Sequence, residues 1–200
     1  DHKVIGLQYL VLSLLFLIIG GVLSILIRWE LKDPQATFSP ELYNRLFTMH
    51  GTIMIFFAAI PMLTGAFGNY VVPLQVGARD MAFPRLNALS FWIFFFAGVL
   101  NLSQFFLPKG AFAASWLAYP PLSASEAFSG TGAARAVWSA SLILMGFSSI
   151  LGAINVLVTV LTMRTPGMGW GKVPLFTWAL CLTSILVILV IPFLSGALYL

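Results

Sequence analysis

Five long stretches free of acidic and basic side chains divide the chain. Val4–Ile27 lies between Lys3 and Arg28, and Leu46–Ala78 between Arg45 and Arg79. Leu86–Pro108, Ala136–Met163 and Val173–Leu200 follow. Each exceeds the roughly 20 residues that a helix needs to cross about 30 Å of hydrocarbon. Barrel strands would be about half as long and would alternate in polarity, and these runs do not alternate. The pattern predicts an all-α, polytopic transmembrane helix bundle with spans at about 4–27, 46–72, 86–107, 136–163 and 173–200.

The connections are Arg28–Leu42, Pro73–Arg85, the long Ala/Ser/Gly-rich Lys109–Arg135 and the tight Arg164–Lys172 turn. No span reads as a cleaved signal peptide: each is too long, and no small-residue cleavage site follows the first. The start close to an apolar helix and the end at Leu200 without a flanking charge read as part of a longer polytopic subunit.

Composition closes off other classes. Of the 200 residues 60% are hydrophobic and 8% charged, against roughly 25% charged in soluble domains, and the mean hydropathy is +0.99. A water-soluble globule and a disordered chain are both excluded. The net charge of +4 contains no Lys/Arg run, so nucleic acid is not a partner to expect. Orientation is tied at five cations a side. Lys3, Arg79, Arg85, Arg164 and Lys172 face one way, and Arg28, Lys32, Arg45, Lys109 and Arg135 the other. The single cysteine, Cys181, reads as a small buried hydrophobe.

His50, inside the second apolar run, is the foremost candidate for chemistry. An ionisable group at membrane depth is costly unless it is partnered. At helical spacing Phe47, Met54, Phe57 and Pro61 share its face, and Gly51 leaves room beside the ring. A neutral imidazole there suits axial ligation of a heme iron; a hydrogen bond across helices to a Ser or Thr is the alternative. His2 reads as a solvated terminus.

Asp80, bracketed by Arg79 and Arg85, reads either as a structural ion pair or as a proton collector at the mouth of a polar path. Asn69, Asn87, Ser90, Ser148, Ser149 and Asn155 supply uncharged polar groups on the adjoining spans, where interhelical hydrogen bonding is the plainer explanation for each. Asn87 and Ser90 share a helix face, as do Ser148 and Asn155 more loosely. Arg28 is either a snorkelling anchor or a donor to a cofactor's polar edge. Glu30 reads as a surface carboxylate and possible cation ligand, and Trp116 and Tyr119 as interfacial anchors. No phosphate loop, dinucleotide fingerprint, nucleophile elbow or HExxH occurs. A cofactor-free transporter and an accessory packing subunit both fit the composition.

Several strings resemble subunit I of heme-copper terminal oxidases: Asp1-His2-Lys3-Val4-Ile5-Gly6, Thr48-Met49-His50-Gly51-Thr52 and Val72–Asn87. Ser90-Phe91-Trp92, Tyr119-Pro120-Pro121-Leu122, Ser148–Asn155 and Pro174–Trp178 extend the resemblance nearly end to end. It implies the N-terminal five of twelve helices of a single membrane domain, with the N-terminus inside. It makes His50 an axial ligand of a low-spin heme, expected to be heme A, with Arg28, Met54, Trp116 and Tyr119 against that heme. It makes Asp80 the entrance of a D-type proton channel lined by Tyr9, Asn69, Asn87, Ser90, Ser148, Ser149 and Asn155, and places Glu30 near a cation site. The high-spin heme, the copper and the remaining ligands belong to later helices, so no oxygen-reducing residue is expected here.

Ala88 departs from the family, standing where many members have a second asparagine. At the positions of the quinol-binding residues stand Ile19, Leu23, Leu42 and Arg45, which favours a cytochrome c donor over the quinol-oxidising branch. The resemblance further implies oxidase subunits II and III as partners, surrounding lipid, and a bacterial or mitochondrial inner membrane.

Overall fold

The structure is a computed structural model that describes residues 1–200 except 33, 36, 125–131 and 200. Five helices are long and apolar enough to cross a membrane: α1 His2–Glu30, α2 Pro40–Val76, α3 Pro84–Phe106, α4 Gly132–Thr162 and α5 Leu175–Tyr199. They overlap all five expected spans, with the third and fourth helices ending one residue short of the expected bounds and the fifth beginning two residues later. The stretch 125–131 of the long connection and the last position of the fifth apolar run lie outside the described residues.

The helices begin where capping chemistry allows. The Asp1 carboxylate accepts from the Lys3 N–H at 2.8 Å. Ser39 Oγ accepts from the Leu42 N–H at 3.2 Å, with Pro40 in the first turn where its missing N–H costs nothing. At the far end of α2, Gly77 takes φ +74°, and the Ala78 N–H returns to the Pro73 carbonyl at 2.8 Å.

The middle of α2 is not an ordinary α-helix. Ile53–Ala59 and Pro61–Phe67 are wound as wider π-helical turns. Pro61 lacks an N–H and so cannot continue the regular ladder. The widening changes which residues share a face. Phe57 is fully buried in an aromatic stack with Phe16 (5.3 Å) and Phe94 (6.1 Å), while Phe47 is 46% exposed. The widened turns move Phe57 and Pro61 off the positions that regular spacing gives them relative to His50, whereas Phe47 lies on the regular turn just before it.

Two apolar cores result. The larger joins α1 to α4 through Phe16, Phe57, Phe94 and Trp138. Tyr9 stacks on Phe94 at 5.2 Å, and Gly65 lies under its ring, where a Cβ would stand 2.5 Å from Tyr9 Cδ1. The smaller gathers Val72, Val76, Met81, Val156, Val160, Leu180 and Cys181 beside the α2–α3 loop. Cys181 is buried and free.

Candidate functional site

Two polar regions lie at different depths of the bundle. The first is built around His50. Its Nδ1 lies 2.9 Å from the Gly20 carbonyl oxygen on α1. A carbonyl only accepts, so Nδ1 carries the hydrogen and the neutral ring's Nε2 carries a lone pair. Among the described residues Nε2 has no hydrogen-bond partner.

Gly20 makes this approach feasible: a Cβ there would stand 2.6 Å from Met54 Sδ. Trp116 lies on the other flank. A Cβ on Gly51 would meet its Cδ1 at 2.6 Å, and its ring centroid is 6.1 Å from that of Phe56.

Two threonines, each two residues from His50, fix this turn of α2. Thr48 Oγ1 accepts from the Ser115 N–H at 2.8 Å, and Thr52 Oγ1 accepts from Trp138 Nε1 at 3.0 Å. Both are fully buried. The Gly20, Thr48, Thr52 and Trp138 contributions went unread in the sequence, although Thr48 and Thr52 stand four apart on one helix face. Tyr119 is 69% exposed on the following loop, and Arg28 is exposed near the end of α1. Among the described residues no hydrogen bond joins either to His50. Glu30 is not a surface group: it is 9% exposed, and its carboxylate accepts from the Thr37 and Phe38 N–H groups at 2.9–3.1 Å. It fastens the loop after α1.

The second region begins at Asp80. Its Oδ1 accepts from the His2 N–H at 3.0 Å and the Met81 N–H at 2.8 Å. Its Oδ2 lies 3.6 Å from the amino group of Asp1. Among the described residues neither Arg79 nor Arg85 forms an ion pair with it; both are exposed. His2 is not solvated but 2% exposed, and its Nδ1–H donates to the Asn69 carbonyl at 2.8 Å. The ring is covered because α1 begins against the end of α2, at Asn69, and against the α2–α3 loop, at Asp80.

Tyr9, Ser90 and Ser148 bring α1, α3 and α4 together. Ser90 Oγ donates to the Asn87 carbonyl (2.8 Å) and Ser148 Oγ to the Ser90 carbonyl (2.6 Å). Their single hydrogens are thus committed. The single hydrogen of the Tyr9 hydroxyl is therefore shared between the two oxygens, at 3.1 and 3.3 Å. Buried Asn87 has both amide atoms unpartnered, and buried Asn69 leaves its Oδ1 unpartnered while its Nδ2 donates to the Gly65 carbonyl.

A cavity of about 50 Å³ lies among α1, α2, α4 and α5, and Tyr9, Asn69, Ser148 and Ser149 are among its walls. Asn87, Ser90 and Asn155 do not line it. Asn155 clamps the α2–α3 loop: its Oδ1 accepts from the Phe83 N–H at 2.9 Å, and its Nδ2 donates to the Phe83 carbonyl at 3.2 Å. Thr159, one turn on, accepts from the Ala82 N–H at 2.9 Å. Ser148 and Asn155 therefore act in different places along α4.

No group of three or more potential metal ligands occurs among the described residues. A metal-bearing group at His50 would have to take its remaining ligands from elsewhere. The imidazole fits such a role, since one nitrogen is held by a carbonyl and the other is free, the arrangement that orients a ligating histidine.

The sequence matches the model of the family described as cytochrome C and quinol oxidase polypeptide I over residues 4–200. It is 48% identical over 201 residues to cytochrome c oxidase subunit 1 of Thermostichus vulcanus, covering 100% of this chain and 35% of that protein. It is 50% identical to cytochrome c oxidase subunit 1 of Synechocystis sp., again over 100% of this chain and 35% of the relative. A probable cytochrome c oxidase subunit 1-beta of Nocardia farcinica is 48% identical over 99% of this chain and 33% of its own length. The chain thus spans about a third of the length of these curated relatives. This helical membrane bundle belongs to the cytochrome c and quinol oxidase polypeptide I family.

Proposed function

We propose that residues 1–200 form the N-terminal five-helix part of the core subunit of a respiratory heme-copper oxidase. This oxidase reduces oxygen to water with electrons from cytochrome c and pumps protons. The chain's own share is one axial position of a low-spin heme, at His50, and the entrance and lower walls of a D-type proton path starting at Asp80. Oxidase subunits II and III are its partners, in a bacterial or mitochondrial inner membrane.

The observation that carries the reading is the His50–Gly20 bond. A carbonyl acceptor at 2.9 Å holds the ring in one tautomer and directs the basicity to Nε2. Heme, of type A in this proposal, would supply one-electron transfer when bound, at a potential set by its ligands and burial. Met54 and Trp116, packed at Gly20 and Gly51, would give it apolar walls. Arg28 and Tyr119 would meet its outer edge.

Protons are the chain's other business. Asp80, half-buried and held by two backbone N–H groups, can take a proton from the water phase without losing its place. The unpartnered amides of Asn69 and Asn87 and the Tyr9–Ser90–Ser148 hydroxyls offer sites for water along the way. A cation at Glu30 belongs to the same proposal, beside a carboxylate that already secures its loop.

A reduced-minus-oxidised visible spectrum of the assembled, purified protein tests this reading. Heme bands are expected; their absence would leave a cofactor-free transporter or packing subunit as the better description.

A further inference from the structure

Three hydroxyls have no place in the foregoing. Thr64 comes from the second widened segment of α2, and Thr183 and Ser184 come from α5. All three line the cavity that Tyr9, Asn69 and Ser148 also line. Ser184 is 5% exposed, and among the described residues neither it nor Thr183 gives its hydroxyl a protein partner. Asn69 Oδ1, buried in the same lining, is also unpartnered. Thr64 Oγ1 and Ser149 Oγ spend their hydrogens on the Ile60 and Met145 carbonyls, at 2.9 and 3.1 Å, and keep lone pairs to accept with.

Apolar cavities stay dry, whereas a cavity offering a water two to four polar partners holds it. A water centre needs about 10–15 Å³ of room, so about 50 Å³ accommodates a few. Donors and acceptors are both present: the Thr183 and Ser184 hydroxyls can do either, and the Asn69 carbonyl oxygen can accept.

We infer that this cavity is a bound-water site, and that Thr64, Thr183 and Ser184 are its second wall, positioning water against the Tyr9–Ser148 side. The inference rests on the proton path proposed above and adds α5 to it. The transfer needs no further reactant. A water that receives a proton from one neighbour hands one of its own to the next oxygen, so every O–H is restored and one positive charge has moved along. Without the α5 hydroxyls the cavity keeps acceptors at Asn69, Thr64 and Ser149 but loses the two uncommitted hydroxyl donors, so a water is held less firmly in the row.

The test uses the assembled oxidase carrying the complete subunit. Thr183→Val with Ser184→Ala is expected to slow proton uptake at least about threefold with heme content unchanged. Thr183→Ser with Ser184→Thr, which keeps both hydroxyls, is expected to retain the parental rate. Parental uptake in the hydroxyl-free variant, while Asp80→Asn is slow, overturns the second wall and leaves the path standing. Parental uptake in both removes the path itself. If the hydroxyl-free variant does not assemble, a high-resolution map of the parental protein decides. Water density within hydrogen-bond distance of Ser184 Oγ and Asn69 Oδ1 supports the inference, and a dry cavity overturns it.

Discussion

The His50 ring is joined to Gly20 by one hydrogen bond, Nδ1 to the carbonyl oxygen at 2.9 Å. That bond ties α2 to α1 at the point where Met54 also meets Gly20. A methyl group on residue 20 would displace Met54 and strain the ring's anchor to the Gly20 carbonyl. Gly20→Ala is expected to cost about 1–3 kcal/mol of stability and to shift or broaden the low-spin heme band. Adding Met54→Ala should relieve both effects. Visible spectra and thermal unfolding of the single and double variants check this, and strictly additive effects would show that the two residues do not share the contact.

Thr52 and Trp138 hold the same turn from the opposite side. Thr52→Val keeps the volume but leaves the buried Trp138 Nε1–H unpaired. A loss of about 1–3 kcal/mol is expected, and Thr52→Ser should recover most of it. Calorimetric unfolding of the pair of variants measures the difference.

Asp80→Asn isolates charge from structure. The amide keeps an oxygen for the His2 and Met81 N–H groups, so the loop should stay in place. Proton uptake should fall about tenfold or more, equivalent to about 1.4 kcal/mol in the barrier, while heme content stays the same. Turnover at the parental rate would count against Asp80 as the collector.

Tyr9→Phe should separate packing from proton movement. The ring keeps its stack on Phe94, while Ser90 Oγ and Ser148 Oγ lose their common donor. Stability is expected to change by about 1 kcal/mol, with proton uptake slowed. Stopped-flow uptake beside a melting curve distinguishes the two effects.

The His2 ring closes the floor of this region. His2→Ala removes the donor to the Asn69 carbonyl and opens a gap beneath α1. Faster hydrogen exchange at the first turns of α1 is expected, because the remaining contacts there must hold the helix end alone.

How much of this could be read beforehand differs by type of interaction. The five spans were legible because hydrocarbon tolerates no ionised side chain in the middle of a helix, so absent charge marks each one. His50 stood out for the same reason, and Asp80 as a loop carboxylate between Arg79 and Arg85 beside polar spans. The widened turns of α2 were not legible. Pro61 interrupts the ladder there, but a proline in an apolar run does not by itself say that the helix widens rather than bends. Face assignments that assumed regular spacing therefore fail for Phe57, which lies inside the widened turns.

His2 was misread because sequence position suggests exposure, whereas burial depends on what folds against the end of α1. Arg79 and Arg85 flank Asp80 in sequence, yet the carboxylate takes the backbone N–H groups of His2 and Met81. Polar residues on neighbouring spans looked alike in the sequence and divide in space. Ser148 reaches the cavity, and Asn155 reaches the Phe83 backbone. Thr64, Thr183 and Ser184 carried no local signal, since a hydroxyl in an apolar helix usually bonds its own backbone.

The most direct measurement is the reduced-minus-oxidised visible spectrum of His50→Ala in the assembled oxidase, read beside the parental protein. Loss of the low-spin heme band, with the high-spin component and the subunits retained, is the expected result. A low-spin band of parental size and position would contradict ligation by His50.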